Sequence, residues 1–251
     1  AVLLVMLMFW FLYEYFMVDF NGHPLSKGLK WLMLCGIAFG LGGAVKWNCL
    51  YFALATAAVI LIVWIKAYFK SNSKAEYRRR LVISIAWCIL FFIIIPVIIY
   101  YAAYLPQIRY DLHGRTPVEY IVQNGKYMLD YHSKLVASHP YSSKWYEWIV
   151  DKRPLWAYVD GELARTGTVS SISSFGNPFV WWGGFVSILF CIYLGLFKKN
   201  TAALLIVISY FSMLLPWVGI SRIAFIYHYF PCVPFLVLAV AIFMRYLNEE
   251  R

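Results

Sequence analysis

Lys46 and Arg222 are the two cations that fall where an apolar run ends outside the long polar stretch at 107–178 and the basic links described below. A cation at the edge of hydrocarbon costs free energy unless its stem snorkels or its charge is paired. Two readings stand for them. Each is a plain interfacial anchor, or the two converge to hold a phosphate at the head-group plane. Trp47 beside Lys46, and Tyr227-His228-Tyr229 after Arg222, add donors and flat rings at the same depth. On the second reading Lys46, Arg222, Tyr227 and His228 form an anion site.

Two further stretches are rich in groups that bind. His139-Pro140-Tyr141-Ser142-Ser143-Lys144-Trp145-Tyr146-Glu147-Trp148 packs rings, hydroxyls and an acid into one short segment. It is either an aromatic band that docks on a bilayer, or a surface for a sugar or an extended peptide, which such planes with hydrogen-bonding groups suit. Gly176-Asn177-Pro178-Phe179-Val180-Trp181-Trp182-Gly183-Gly184 reads as a helix start with an aromatic belt. His132 and His139 are poorly spaced for a shared metal, and no Cys or carboxylate completes a set, so no metal is expected. Cys35, Cys49, Cys88, Cys191 and Cys232 are scattered in or beside apolar runs and read as packed thiols.

The elements that carry these residues are membrane spans. Hydrophobic residues make up 63% of the 251 and charged ones 14%, against roughly a quarter charged in soluble domains. Apolar runs near the length of a bilayer crossing recur along the chain. Seven spans are expected, over about 2–18, 31–45, 50–65, 81–105, 179–197, 201–220 and 230–247. The expected class is an all-α polytopic membrane protein, divided into a bundle at 1–105, an extracytoplasmic loop at 106–178 and a second bundle at 179–251. The second span is rich in Gly36, Ala38, Gly40, Gly42, Gly43 and Ala44, small residues that let membrane helices approach closely. Pro96 is expected to kink the fourth. Ala1 lies inside an apolar run, with no initiator Met and no signal-peptide start, which reads as a piece of a longer chain.

The formal charge of +10 gives topology rather than a nucleic-acid partner. The links at 19–30, 66–80 and 198–200 and the C-terminal tail hold Lys27, Lys30, Lys66, Lys70, Lys74, Arg78, Arg79, Arg80, Lys198, Lys199, Arg245 and Arg251. The opposite short turns hold Lys46 and Arg222. By the positive-inside rule the basic links and the C-terminus are cytoplasmic, and the 107–178 loop is outside a cell membrane. Within that loop, Thr116-Pro117-Val118-Glu119 is a helix start with a capping box. An amphipathic helix follows, with Asn124-Gly125 as a point of interruption. Leu155–Val159 and Thr166–Ser171 read as strands around Asp160-Gly161, and Asn177 caps the fifth span.

Taken in order, Gly40–Trp47 (GLGGAVKW), His139–Trp148 with Arg153-Pro154, the GNPFVWW block, and Arg222 with Phe225–Pro231 resemble the protein O-mannosyltransferases. These are GT-C enzymes that use polyprenyl- or dolichyl-phosphate-mannose. The likeness runs from about Leu29 to Ala241 and is to the bacterial form, since the loop has no β-trefoil insertion. The resemblance implies inverting transfer of mannose to Ser or Thr hydroxyls of exported proteins, with no cofactor. Implied partners are the lipid-linked donor, secreted or membrane acceptor proteins, the export machinery and membrane lipid. It places His139, Tyr141, Ser143, Trp145, Trp148 and Asn177 on the acceptor side. The family's acidic catalytic pair lies in an earlier outer loop, so no base is assigned here. Glu147 and Asp151 are acids of the loop, but nothing matches them to that role.

A phosphate leaving group needs cations that bind it tighter as charge develops, and the acceptor hydroxyl needs a general base. Two other classes fit the composition: a lipid-linked sugar transferase acting on a lipid or glycan, and a non-enzymatic transporter or scaffold. The last is disfavoured, because ionisable groups gather at the outer boundary and no internal repeat is visible.

Overall fold

The computed structural model describes residues 1–110, 112, 114–135, 137–159 and 170–249. They form two compact units, one of 1–127 with 211–213 and one of 128–210 with 214–251.

In the first unit, helices α1 (Val2–Met17), α2 (Leu25–Val45) and α3 (Ala53–Lys70) are joined by a polar link and by a 3₁₀ turn at Trp47–Phe52. Then α4 (Lys74–Ile89), a π-turn (Leu90–Ile94) and α5 (Ile95–Tyr110) run on as one helical rod. The π-turn lies just before Pro96, where the sequence leads one to expect a kink. Proline has no N–H to give the preceding turn, and a widened turn lets the freed carbonyls find other geometry. The small residues of α2 face this rod. A Cβ at Gly36 would overlap the carbonyl of Phe91, and one at Gly40 would sit 3.0 Å from Cα of Pro96 and 2.9 Å from Cδ1 of Ile99. Close backbone approach is thus what these glycines provide.

The core of one end joins Tyr15, Phe20, Leu32, Ile60, Val63, Ala67 and Tyr77. There Arg80 Nη1 donates to the carbonyls of Phe20 (2.9 Å) and His23 (2.8 Å), and Asn21 Nδ2 to that of Ala67 (2.8 Å). The two basic links of this unit therefore meet. Away from them, Trp47 Nε1 donates to Tyr100 Oη at 3.2 Å, and the Tyr104 ring meets Tyr120 at 6.4 Å. Helix α6 (Pro117–Lys134) begins as its capping box requires: the Thr116 N–H donates to Glu119 Oε2 (2.9 Å) and the Glu119 N–H to Thr116 Oγ1 (3.3 Å). It passes through Asn124-Gly125 without a break.

The second unit holds the short helix α7 (Trp145–Ile149) and an antiparallel hairpin of β1 (Leu155–Val159) and β2 (Ser171–Ser174), with a bulge at Ala157. The second strand thus starts where the sequence reading ended it. The rest of the expected strand, 166–169, and the Asp160-Gly161 turn lie outside the described residues. A π-turn (Phe179–Gly183) then leads into α8 (Gly184–Phe197). Helix α9 (Thr201–Leu214) ends in a 3₁₀ turn (Leu215–Gly219), and a 3₁₀ helix (Ile226–Cys232) leads into α10 (Val233–Glu249). Asn177 Oδ1 accepts from the N–H groups of Phe179 (3.0 Å) and Val180 (3.3 Å), the cap read from sequence. A Cβ at Gly184 would stand 2.7 Å from Cβ of Leu236, so α8 and α10 touch through that glycine.

Among the described residues, six helical stretches are long and apolar enough to cross a membrane, and Val2–Met17 is a shorter apolar helix. These are the seven expected segments. Of the cysteines, Cys35, Cys49, Cys191 and Cys232 are buried and Cys88 is half-buried.

Candidate functional site

Helix α7 is only five residues long, yet both its ends are tied. Glu147 Oε2 accepts the Lys144 N–H and Oε1 accepts Lys152 Nζ, each at 2.9 Å. These bonds, Lys152 first, hold the Glu147 carboxyl below the usual carboxylate range. A helix this short does not persist on propensity. It is held by caps and by packing of its rings.

That packing builds the site. The Ser143 N–H donates to the carbonyl of Ala224 (2.9 Å), and Trp148 Nε1 donates to Ser143 Oγ (3.0 Å). Trp148 is 1% exposed. Its ring stacks on His228 (6.0 Å between centroids, 17° between planes) and meets Trp217 edge-on at 5.3 Å. His228 also meets Trp217 at 4.6 Å and Tyr227 at 4.2 Å. Its Nδ1 faces the backbone of Phe225, 3.0 Å from the carbonyl oxygen and 3.2 Å from the amide nitrogen. The backbone of Phe225 thus occupies Nδ1. His139 meets Phe225 edge-on at 5.1 Å, and Tyr141 lies between His139 (5.9 Å) and Trp156 (6.4 Å). Arg153 Nη1 donates to the Ser142 carbonyl at 3.2 Å. From the other side, Trp181 Nε1 donates to the carbonyl of Trp148 (2.8 Å) and Trp182 Nε1 to that of Val150 (3.3 Å).

Three stretches far apart in sequence, 139–154, 176–184 and 222–231, thus share one aromatic layer. Arg222 lies in it, its guanidinium 5.9 Å from the Trp217 ring centre, with Nη1 on the Ile223 carbonyl at 3.2 Å. Burial, and then the Arg222 charge, lower the pKa of His132. Trp145 lies beside Tyr146 (5.7 Å), and Asn177 is exposed beyond its capping bonds. Sequence reading singled out Arg222, His139, Tyr141, Ser143, Trp145, Trp148, Asn177, Tyr227 and His228. It missed Trp217, Trp181 as a ligand of α7, and Phe225 as a ring partner. Pro216-Trp217, a proline and an indole at the end of an apolar span, was the available signal for the first.

Lys46 belongs to the first unit. It is exposed, directly after α2 ends at Val45. Just before it Gly40 and Gly43 form the floor of an apolar groove of about 380 Å³. Pro96, Val97, Tyr100 and Tyr101 wall the groove, and Val118, Ile121 and Val122 of α6 face it. Tyr100 and Tyr101 are the lining residues that carry polar side chains.

Long apolar helices in both units, and an aromatic layer built on the polar segment of the second, define a polytopic membrane protein. Residues 118–251 match the C-terminal four TMM region of protein-O-mannosyltransferase, and residues 1–110 match dolichyl-phosphate-mannose-protein mannosyltransferase. The chain belongs to the protein O-mannosyltransferase family. It is similar to the polyprenol-phosphate-mannose–protein mannosyltransferase of Mycolicibacterium smegmatis, 23% identical over 86% of this chain and 47% of the relative. The Mycobacterium tuberculosis protein of the same name is 24% identical over 86% and 46% respectively, and that of Corynebacterium glutamicum 22% over 84% and 46%. The chain spans about half the length of these curated relatives. No solved structure matches it.

Proposed function

We propose that this chain is part of a membrane enzyme that transfers mannose from a polyprenyl-phosphate donor to Ser or Thr hydroxyls of exported proteins, with inversion at the sugar. The observation that supports it most is the convergence of the 139–154, 176–184 and 222–231 blocks on one layer. These are three of the four blocks in which the resemblance to protein O-mannosyltransferases lies; the fourth is Gly40–Trp47.

The donor is a phosphodiester whose leaving group gains charge as the glycosidic bond breaks. Cations and oriented donors lower that barrier when they hold the departing phosphate more tightly than the intact ester. Lys46, Arg222, Tyr227 and His228 are assigned this role. Arg222 is favoured by its place against Trp217, which fixes a planar fork suited to phosphate oxygens. The groove over Gly40 and Gly43 has the apolar lining an isoprenoid chain needs. His139, Tyr141, Ser143, Trp145, Trp148 and Asn177 are assigned to the acceptor side, where rings and hydroxyls suit sugar and peptide. The general base is assigned to none of these residues. Glu147 spends both oxygens on the caps of α7. The site faces outward in this reading, with the basic links and the C-terminus cytoplasmic and acceptors delivered by the export machinery.

In the full-length protein, Lys46→Ala and Arg222→Ala should each cut mannose transfer to a Ser/Thr-rich peptide by roughly a hundredfold, the scale of one transition-state charge contact. Folding, read by detergent-solubilised thermal melting, should be retained. Wild-type transfer in both variants would remove the phosphate assignment.

A further inference from the structure

The end of α7 carries a residue that the proposed chemistry leaves unused. Asp151 has φ 51°, in the left-handed region that favours glycine. Its N–H donates to the Trp148 carbonyl at 3.2 Å, and the Lys152 N–H to that of Glu147 at 3.0 Å. Those two bonds close a Schellman motif, and Asp151 stands at the position where glycine is usual. A side chain there is unfavourable for the backbone, so it persists when it does something else.

What it does is visible in its carboxylate. Oδ2 accepts the Gly176 N–H at 2.9 Å, and Oδ1 is buried without a donor among the described residues. Burial raises the pKa of this carboxyl. Because Oδ1 is closed off from solvent, it offers a diffusing ligand nothing, and the carboxylate acts on Gly176. Gly176 has no room for a side chain, since a Cβ would overlap the Trp181 ring. With the Trp181 and Trp182 indoles on the carbonyls of Trp148 and Val150, residues 148–151 receive three donors from 176–182.

We propose that Asp151 is a positioning residue: its carboxylate clamps the entry to the 179–183 turn onto α7, and so sets where Trp148 and Ser143 stand against His228. In its kinetic arm this rests on the mannosyl-transfer reading; in its structural arm it does not. The test uses the full-length protein in lipid nanodiscs with Asp151→Gly and Asp151→Asn. Glycine removes the carboxylate but suits the backbone, so a residue that merely closed the helix would be improved or unchanged by it. Asparagine tolerates the left-handed region and keeps an acceptor for the Gly176 N–H.

The wild-type Gly176 amide should exchange slowly with deuterium. Asp151→Gly should speed that exchange and lower kcat/KM for a Ser/Thr peptide by about tenfold or more, the worth of one hydrogen bond to a charged group. Asp151→Asn should recover most of both. Fast exchange at Gly176 in the wild type, wild-type kinetics and exchange in Asp151→Gly, or an asparagine variant as damaged as the glycine one would each overturn the clamp. If the wild type transfers no mannose, the transfer reading falls, and amide exchange at Gly176 alone decides the clamp.

Discussion

Trp148 gives its indole N–H to Ser143, its carbonyl to Trp181 and its ring face to His228. Glu147, next to it, holds the helix ends. The Glu147 carboxyl titrates below its ordinary range, so the stability it contributes is present above the unfolded value, about 4.3, and is lost as pH falls through the lower folded value. Amide exchange at Lys144 should therefore stay slow at about pH 5 and quicken only in stronger acid. Glu147→Gln should abolish that pH dependence. Asp151 works with the opposite sign: its pKa is raised by burial, so its charge costs stability above the folded pKa and the cost vanishes below the unfolded one. Acid loosening of α7 would thus trace to Glu147. Residue types exposed the His139–Trp148 cluster at once. They did not expose Trp217, because an indole at the end of an apolar span has the same composition whether it faces lipid or a histidine.

Elements were legible where their signals are local. The capping box at Thr116 and the Asn177 cap were read from a few residues and formed as read. The break expected at Asn124-Gly125 did not form, because flanking helical turns carry one glycine at a modest cost. Gly125 has open space where a Cβ would go. Gly125→Ala should therefore raise stability by about 0.5–1 kcal/mol through the unfolded state. Gly36 is the contrary case: a Cβ there overlaps the Phe91 carbonyl, which is backbone and cannot swing away. Gly36→Ala should destabilise by about 1–3 kcal/mol, the usual penalty of overpacking. Thermal unfolding of both variants in one detergent checks the pair, and equal shifts would contradict the packing described for α2. The π-turn at Leu90–Ile94 was not foreseen in detail. Pro96 signals a disturbance, but which turn widens depends on how α2 packs beside it.

For the molecule as a whole, the family match and the six long apolar helices make it a multi-pass membrane protein. The orientation proposed for it rests on lysine and arginine placement. A Lys74→Cys variant should be modified only by a reagent that crosses the membrane of intact cells, and Lys144→Cys by one that does not. The reverse pattern would invert the topology and put the aromatic layer on the cytoplasmic side. Within the first unit, the bonds from Arg80 to Phe20 and His23 already bring the links at 19–30 and 66–80 together. That is what positive-inside counting requires of them.

The amino-acid order alone determined the spans, because crossing hydrocarbon demands a run of apolar side chains and the run is its own signal. It determined the helix starts for a similar reason, since a cap is satisfied within four residues. Tertiary structure alone decided that Trp148, His228, Trp217 and Trp181 share a layer. Those contacts join segments tens of residues apart, and what selects them is close packing and the satisfaction of buried indole N–H groups, neither of which has a period to read along the chain.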